Sequence, residues 1–136
     1  MKTSQGELLI IDILNKENIK FIREYKFEDL WHGVLRYDFY LPDLNILIEF
    51  DGEQHFHKVN HFHQFIQDFH KNQEHDRRKN SYALARNIPL YRIPFWDFKN
   101  VSNFQDILKE QYLVKNRWHN DYIWRKKNNW FFYISV

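Results

Sequence analysis

The sequence predicts an α/β fold: a central mixed β-sheet in αβββαβ order, flanked by helices and followed by a C-terminal helix and hairpin. Three observations carry this. Two alternating runs, "GVLRYDFYLP" and "LNILIEFD", meet at the turn dipeptide Pro42–Asp43 and read as a β-hairpin. A stripe of Phe62, Phe65, Ile66 and Phe69 then repeats with helical spacing. A short apolar strand, "IPLYRIP", follows it. Antiparallel strands, a crossover helix and a further strand make a mixed sheet with helices on its faces.

Each element has its own warrant. In "SQGELLIIDILNK" Leu8, Ile11 and Leu14 recur at helical spacing, which predicts a helix over Ser4–Lys16. Residues 20–27, "KFIREYKF", read as a short strand. Pro94 ends the strand at 88–94. "SNFQDILKEQYL", 102–113, predicts a helix with Ser102 as its cap. The tail "NDYIWRKKNNWFFYISV" reads as a hairpin around Asn128–Asn129. Its Lys and Arg interleaved with Trp and Tyr suit base stacking and phosphate contacts, or else the hairpin completes the sheet or mediates formation of a homodimer. At 136 residues the chain is expected to form one domain, with a core over about 4–94 and an extension over about 95–136.

Composition sets further bounds. The absence of cysteine excludes disulfides and thiolate metal sites. No run resembles a signal peptide or a membrane span, so a soluble, cytoplasmic protein without membrane contact is expected. A net charge of +2 neither demands nor excludes a nucleic-acid partner, because a local patch matters more than the sum.

The stretch "LIEFDGEQHF" ends a buried strand in acids. Glu49 and Asp51 share one face, while Leu44, Ile46, Ile48 and Phe50 share the other, buried one. A two-residue turn at Pro42–Asp43 places Leu41 opposite Leu44. Asp38 then lies opposite Leu47, diagonal to Glu49 and on its face. Carboxylates that close repel, and a hard divalent cation such as Mg²⁺ resolves the conflict. The competing account pairs these acids with Arg36 or Lys20 at the surface.

Other groups carry two readings each. His55, His57, His61 and His63 form a solvated loop or, with spacing that matches no standard finger, a zinc cluster. Continuing the helical stripe by seven residues places Asp76 on the sheet-facing side, unless the helix breaks near Asn72. Ser4 and Glu7 form a capping box in which Glu7 returns to the backbone of Ser4.

The set "GE" (6–7), "RYDFYLP" (36–42), "IEFDGEQHF" (48–56) and "EHDRRKNSYALARNIPLYRIP" (74–94) resembles the PD-(D/E)XK nuclease superfamily. The likeness is to its very-short-patch-repair (Vsr) branch and the related EDxHD homing endonucleases. It spans about two-thirds of the chain.

The resemblance implies a restriction-endonuclease-like core and a role for each matching residue. Asp38 matches the metal-binding aspartate, and Glu49 matches the acid of the (D/E)-x-K half. Asp51 stands where other members carry lysine. His55 matches a histidine near the site, Asp76 the helix aspartate, and Glu7 the glutamate of the first helix. With the lysine missing, His55 is the natural proton carrier, with an unperturbed pKa of about 6.5. Lys79 is the alternative if it points inward.

The activity so implied is Mg²⁺-dependent hydrolysis of phosphodiester bonds in DNA, with Mn²⁺ able to substitute. Asp38, Glu49 and Asp51 would hold the metal, and Arg77, Arg78, Lys79 and Arg86 the backbone phosphates. Those four cations also read as a solvated helix face. The rival functions are a nuclease fold that binds nucleic acid or a protein without cutting, and a histidine-rich zinc protein.

Overall fold

The computed structural model describes residues 3–52 and 62–121. Helix α1 (Gln5–Lys16) leads into strands β1 (Ile22–Lys26), β2 (Arg36–Leu41) and β3 (Ile46–Asp51). Helix α2 (Phe62–Ala85) crosses to β4 (Leu90–Pro94), and a one-turn helix α3 (Phe104–Ile107) follows. The four strands form one mixed sheet in the order β1-β2-β3-β4. β1–β2 and β2–β3 pair antiparallel, and β3–β4 pairs parallel. The expected α/β class, with a mixed sheet between helices, is what the chain adopts.

Both faces of the sheet are covered. On one face Ile10, Ile13 and Leu14 of α1 pack on Phe39, Leu41, Ile48 and Ile93, joined by Val101, Phe104 and Ile107 from the C-terminal extension. On the other, Ala83 of α2 packs with Tyr37, Leu47, Leu90 and Val114. Leu47 and Ile48 are adjacent in sequence and fully buried on opposite faces. Truncating either to alanine would cost about 2–5 kcal/mol. Burial on both sides corrects the expectation of a single buried face on β3: Leu44 is exposed, and Glu49 is 4% exposed.

The hairpin loop is also longer than expected. Leu41 pairs with Ile46, Tyr40 with Leu47 and Phe39 with Ile48, so residues 42–45 form the loop. Asn45 takes the left-handed conformation at φ 55° and donates its backbone N–H to Leu41 O at 2.8 Å. Asparagine tolerates that conformation. The Tyr40 hydroxyl donates to Asn45 Oδ1 at 2.8 Å. The resulting shift of two residues keeps side-chain parity and moves Asp38 from its expected place opposite Leu47 to the position opposite Glu49.

Two helical expectations change. α2 runs through Asn72 without a break, and Asp76 faces the sheet, 3.3 Å from Arg92 of β4. The predicted helix over 102–113 reduces to α3 and a 3₁₀ turn at Glu110–Tyr112. Asn103, not Ser102, is the cap, accepting from the Asp106 N–H at 2.9 Å. The chain beyond Tyr112 is drawn to the sheet: the Val114 N–H donates to Leu90 O at 2.9 Å, and Leu113 bridges Tyr91. The predicted tail hairpin lies outside the described residues.

Candidate active site

The β2 ladder opens at Asp38. Tyr37 and Tyr40 both join the cluster on the α2 face although they are three residues apart, so the alternation breaks between them. The Asp38 carboxylate accepts the Phe50 N–H at 2.8 Å, and Glu49 Oε2 accepts the Asp38 N–H at 3.3 Å. On the other flank, Arg23 pairs with Phe39 and Tyr25 with Tyr37, leaving Glu24 opposite Asp38 outside the regular pairing. Glu24 has φ 53°, a costly conformation for a residue with a side chain.

This opening forms a cleft of about 490 Å³ between the sheet and α2, bordered by Glu7, Glu24, Asp38, Glu49, Asp51, Asp76 and Lys79. Glu7 reaches it because α1 passes close to β3. A Cβ on Gly6 would lie 2.1 Å from the Phe50 ring, so only glycine allows that approach. The Ser4 hydroxyl accepts the Glu7 N–H at 3.2 Å, which caps α1. The Glu7 carboxylate completes no box with the Ser4 backbone. It accepts from the Ser4 hydroxyl at 3.0 Å and from Arg23 Nη2 at 2.6 Å.

Lys79 enters from α2 and forms an ion pair with Glu49. Its main chain is pinned by the Tyr37 hydroxyl, which donates to Lys79 O at 2.7 Å. Burial, reinforced by Arg92, lowers the Lys79 pKa to about 7. Burial likewise raises Asp38 above the usual carboxylate range, against the pull of Lys79.

A second, drier network lies behind it. Arg92, 1% exposed, has Nη1 at 2.7 Å from Asp51 Oδ1 and 3.3 Å from Asp76 Oδ1. Its Nε donates to Asn80 Oδ1 at 2.8 Å. Asn80 Nδ2 donates to Asn120 Oδ1 at 2.9 Å, and Asn120 Nδ2 to Asp51 Oδ2 at 2.9 Å. Burial raises the Asp76 pKa to about 7, against the lowering effect of Arg92.

The structure thus brings Glu7, Asp38, Glu49, Asp51 and Asp76 to one cleft. His55 lies outside the described residues, as do His57 and His61. Of the expected phosphate-binding cations, Lys79 turns inward. Arg77 pairs with Asp121 at 2.5 Å, Arg78 with Glu74 at 2.9 Å, and Arg86 with Asp29. Glu24, Arg92, Asn80 and Asn120 received no role from the sequence. A signal for Arg92 was there: an arginine inside the apolar strand "LYRIP" must find buried partners. Glu24 shows only once the register sets it beside Asp38.

The donor chemistry suits a hard cation. Glu7, Glu24 and Asp38 each bring one carboxylate oxygen within 4.8 Å of the others. Mg²⁺ takes oxygen ligands and keeps several waters, so a few carboxylates suffice. Asp38 belongs both to this group and to the cross-strand pair with Glu49. Asp51 differs from the expected ligand set in being held by Arg92 and Asn120.

Fold and cleft together define an α/β protein with an acid-lined, partly buried cleft beneath a helix. Compared with known proteins, the chain matches no family model, no curated protein and no solved structure.

Proposed function

We propose that the chain is a metal-dependent endonuclease of the PD-(D/E)XK superfamily, in its Vsr-like branch, hydrolysing phosphodiester bonds in DNA. One observation carries the reading. Asp38 and Glu49, the two acids of the motif, face each other across an opened ladder with an ammonium beside them. A bound Mg²⁺ would polarise the phosphate and lower the pKa of a water. Asp38 would hold it, with Glu49 or with Glu7 and Glu24 as the accompanying oxygen donors.

The protein's own groups supply the rest. Lys79 brings to the cleft the positive charge that Asp51 withholds by standing at the lysine position of the motif. With a pKa of about 7 it can hold or release a proton near neutrality. Arg92 fixes Asp51 and Asp76 and so sets the floor of the cleft. Lys79 is the described residue that fits the water-activating role, alongside His55 from the motif.

The test is incubation of supercoiled plasmid and branched oligonucleotides with Mg²⁺, Mn²⁺ or EDTA. The expected result is metal-dependent cleavage lost in Asp38→Ala. No metal-dependent product from any substrate would remove the enzymatic reading.

A second reading has an observation of its own. Glu49 pairs with Lys79, Asp51 with Arg92 and Glu7 with Arg23, so three acids already carry cationic partners. That pattern favours a nuclease fold that binds nucleic acid without cutting. Calorimetric titration with Mg²⁺ separates the two: binding lost in Asp38→Ala supports the enzyme, and silence with retained DNA binding supports the module.

A further inference from the structure

Across α2 from the acidic cleft lies a second concavity of about 540 Å³, bordered by Trp31, Glu74, Arg78, Ser81, Tyr82 and Arg117. Its aromatic wall is held in an unusual way. Trp31, His32 and Gly33 follow one another at φ 46°, 57° and 75°. A positive φ is a genuine outlier for a bulky residue, and such strain persists where surrounding structure imposes it. Burial of the indole does not repay it, since Trp31 stays 40% exposed while its neighbour Leu30 is 6% exposed and anchors the loop.

The exposed ring is dressed for recognition. The Arg78 guanidinium lies 4.9 Å from its centroid, and the His75 ring 5.3 Å. His75 also borders the acidic cleft, so one residue of α2 lines that cleft and touches the Trp31 ring of the second concavity. Nearby, Trp118 is 49% exposed, with Arg77 and Arg117 each 4.7 Å from its ring.

We propose that the Trp31 pocket holds an unpaired nucleotide, so that the preferred substrate carries a base displaced from its stack. This rests on the nuclease reading above and specifies its substrate. An indole face accepts any nucleobase by stacking, and arginines beside it meet the adjoining phosphates. Arg78 already holds Glu74 Oε1, so the other carboxylate oxygen of Glu74 and the Ser81 hydroxyl supply the acceptors for the edge of the base. The volume falls in the range of about 300–1,000 Å³ found for ligand sites. The helix between the cavities would let one strand lie across it, with the displaced base on one side and a phosphate on the other.

The experiment uses the full chain in EDTA, so that nothing is cut. Duplex DNA carrying one unpaired 2-aminopurine is titrated beside its fully paired counterpart. Wild-type protein is expected to change the probe's emission and to prefer the unpaired site. Trp31→Gly should weaken binding to that site by roughly tenfold and leave the paired duplex within about twofold, with Trp31→Phe in between. Because glycine accepts the positive φ, Trp31→Gly should melt no lower than wild type.

Equal preference in wild type and Trp31→Gly overturns the proposal. So does a Trp31→Gly protein that melts lower yet keeps the preference, which would make Trp31 a structural residue. Mg²⁺-dependent cleavage without any Trp31-dependent preference removes the pocket and leaves the nuclease. Trp31-dependent preference without cleavage of any substrate keeps the pocket and removes the nuclease.

Discussion

Asp38 and Glu49 exchange roles across β2 and β3: the Asp38 carboxylate accepts the backbone N–H of the residue after Glu49, and the Glu49 carboxylate accepts that of Asp38. Side chains thus replace ladder carbonyls where the strands part. Asp38→Asn keeps an acceptor for the Phe50 N–H and removes the charge. The expected outcome is loss of metal-dependent cleavage with stability changed by less than about 1 kcal/mol. Urea denaturation beside a plasmid assay checks both. A variant that cuts as wild type does would deny Asp38 its part.

Lys79→Gln removes the ammonium beside Glu49. Loss of one general acid–base group typically lowers turnover by about 10²–10⁴-fold. The limb of the pH–rate profile near pH 7 should vanish with it, because burial sets the Lys79 pKa to about 7. Single-turnover rates from pH 5.5 to 9 decide the matter: a limb that survives the substitution belongs to another group.

Stability should also depend on pH in a particular way. Asp76 has a folded pKa of about 7, raised from 3.8, so the folded state holds a proton that the unfolded chain has lost. Its contribution is full below about pH 4 and declines as pH rises to 7. Lys79, lowered from 10.5 to about 7, behaves oppositely, and stability returns as pH climbs from 7 toward 10.5. Asp38, raised in the same direction, reinforces the Asp76 limb. His119, lowered to about 4 by burial, opposes it below about pH 6.5. A minimum near neutrality is expected, with an alkaline limb on the order of 1 kcal/mol per pH unit. Thermal melting across pH 4–10 should show the dip, and Asp76→Asn should flatten its acid limb. A profile that peaks at pH 7 in wild type would contradict this.

Arg92 holds Asp51, Asp76 and Asn80 at once. Arg92→Met leaves Asp51 and Asp76, half-buried, without their buried counterion, and the loss should lie at or below the roughly 3–5 kcal/mol of a fully buried pair. Arg92→Lys should recover little, because a single ammonium cannot reach three partners along a planar fork. Denaturant midpoints for the two variants provide the measurement, and near-wild-type stability of Arg92→Lys would show that charge alone suffices.

Gly6→Ala sets two effects against each other. Alanine favours a helix interior over glycine by roughly 0.5–1 kcal/mol. Its methyl would meet the Phe50 ring, and overpacking costs about 1–3 kcal/mol. Net destabilisation is expected, relieved in Gly6→Ala/Phe50→Leu. A stabilised single variant would mean that the ring moves aside freely.

Much of the fold was legible because it rests on local periodicity. α1, its Ser4 cap, the hairpin strands and β4 follow from spacing and punctuation. The meeting of Asp38, Glu49 and Asp51 at one cleft was legible only in part, since the register moved by two residues and the alternation of β2 breaks around Asp38. The loop length was not, because Asn45 in its left-handed conformation extends a turn that Pro42–Asp43 alone suggests. Helix 102–113 failed for a tertiary reason: pairing of Leu113 and Val114 with β4 outweighs helical propensity. The cationic partners of the acids were least legible. Lys79 meets Glu49 across thirty residues and Arg92 meets Asp51 across forty-one, and no periodicity encodes such meetings.

The parallel pairing of β3 with β4 has a consequence for the order of assembly. The hairpin that sets Asp38 against Glu49 closes over a four-residue loop, whereas β4 arrives only after the whole of α2. Short closures precede long ones. A nascent chain ending before Leu90 would therefore present β3 as a bare edge, with Glu49 and Asp51 charged along it. Those two acids would then act as gatekeepers, keeping the unfinished strand from pairing with a neighbour until β4 covers it.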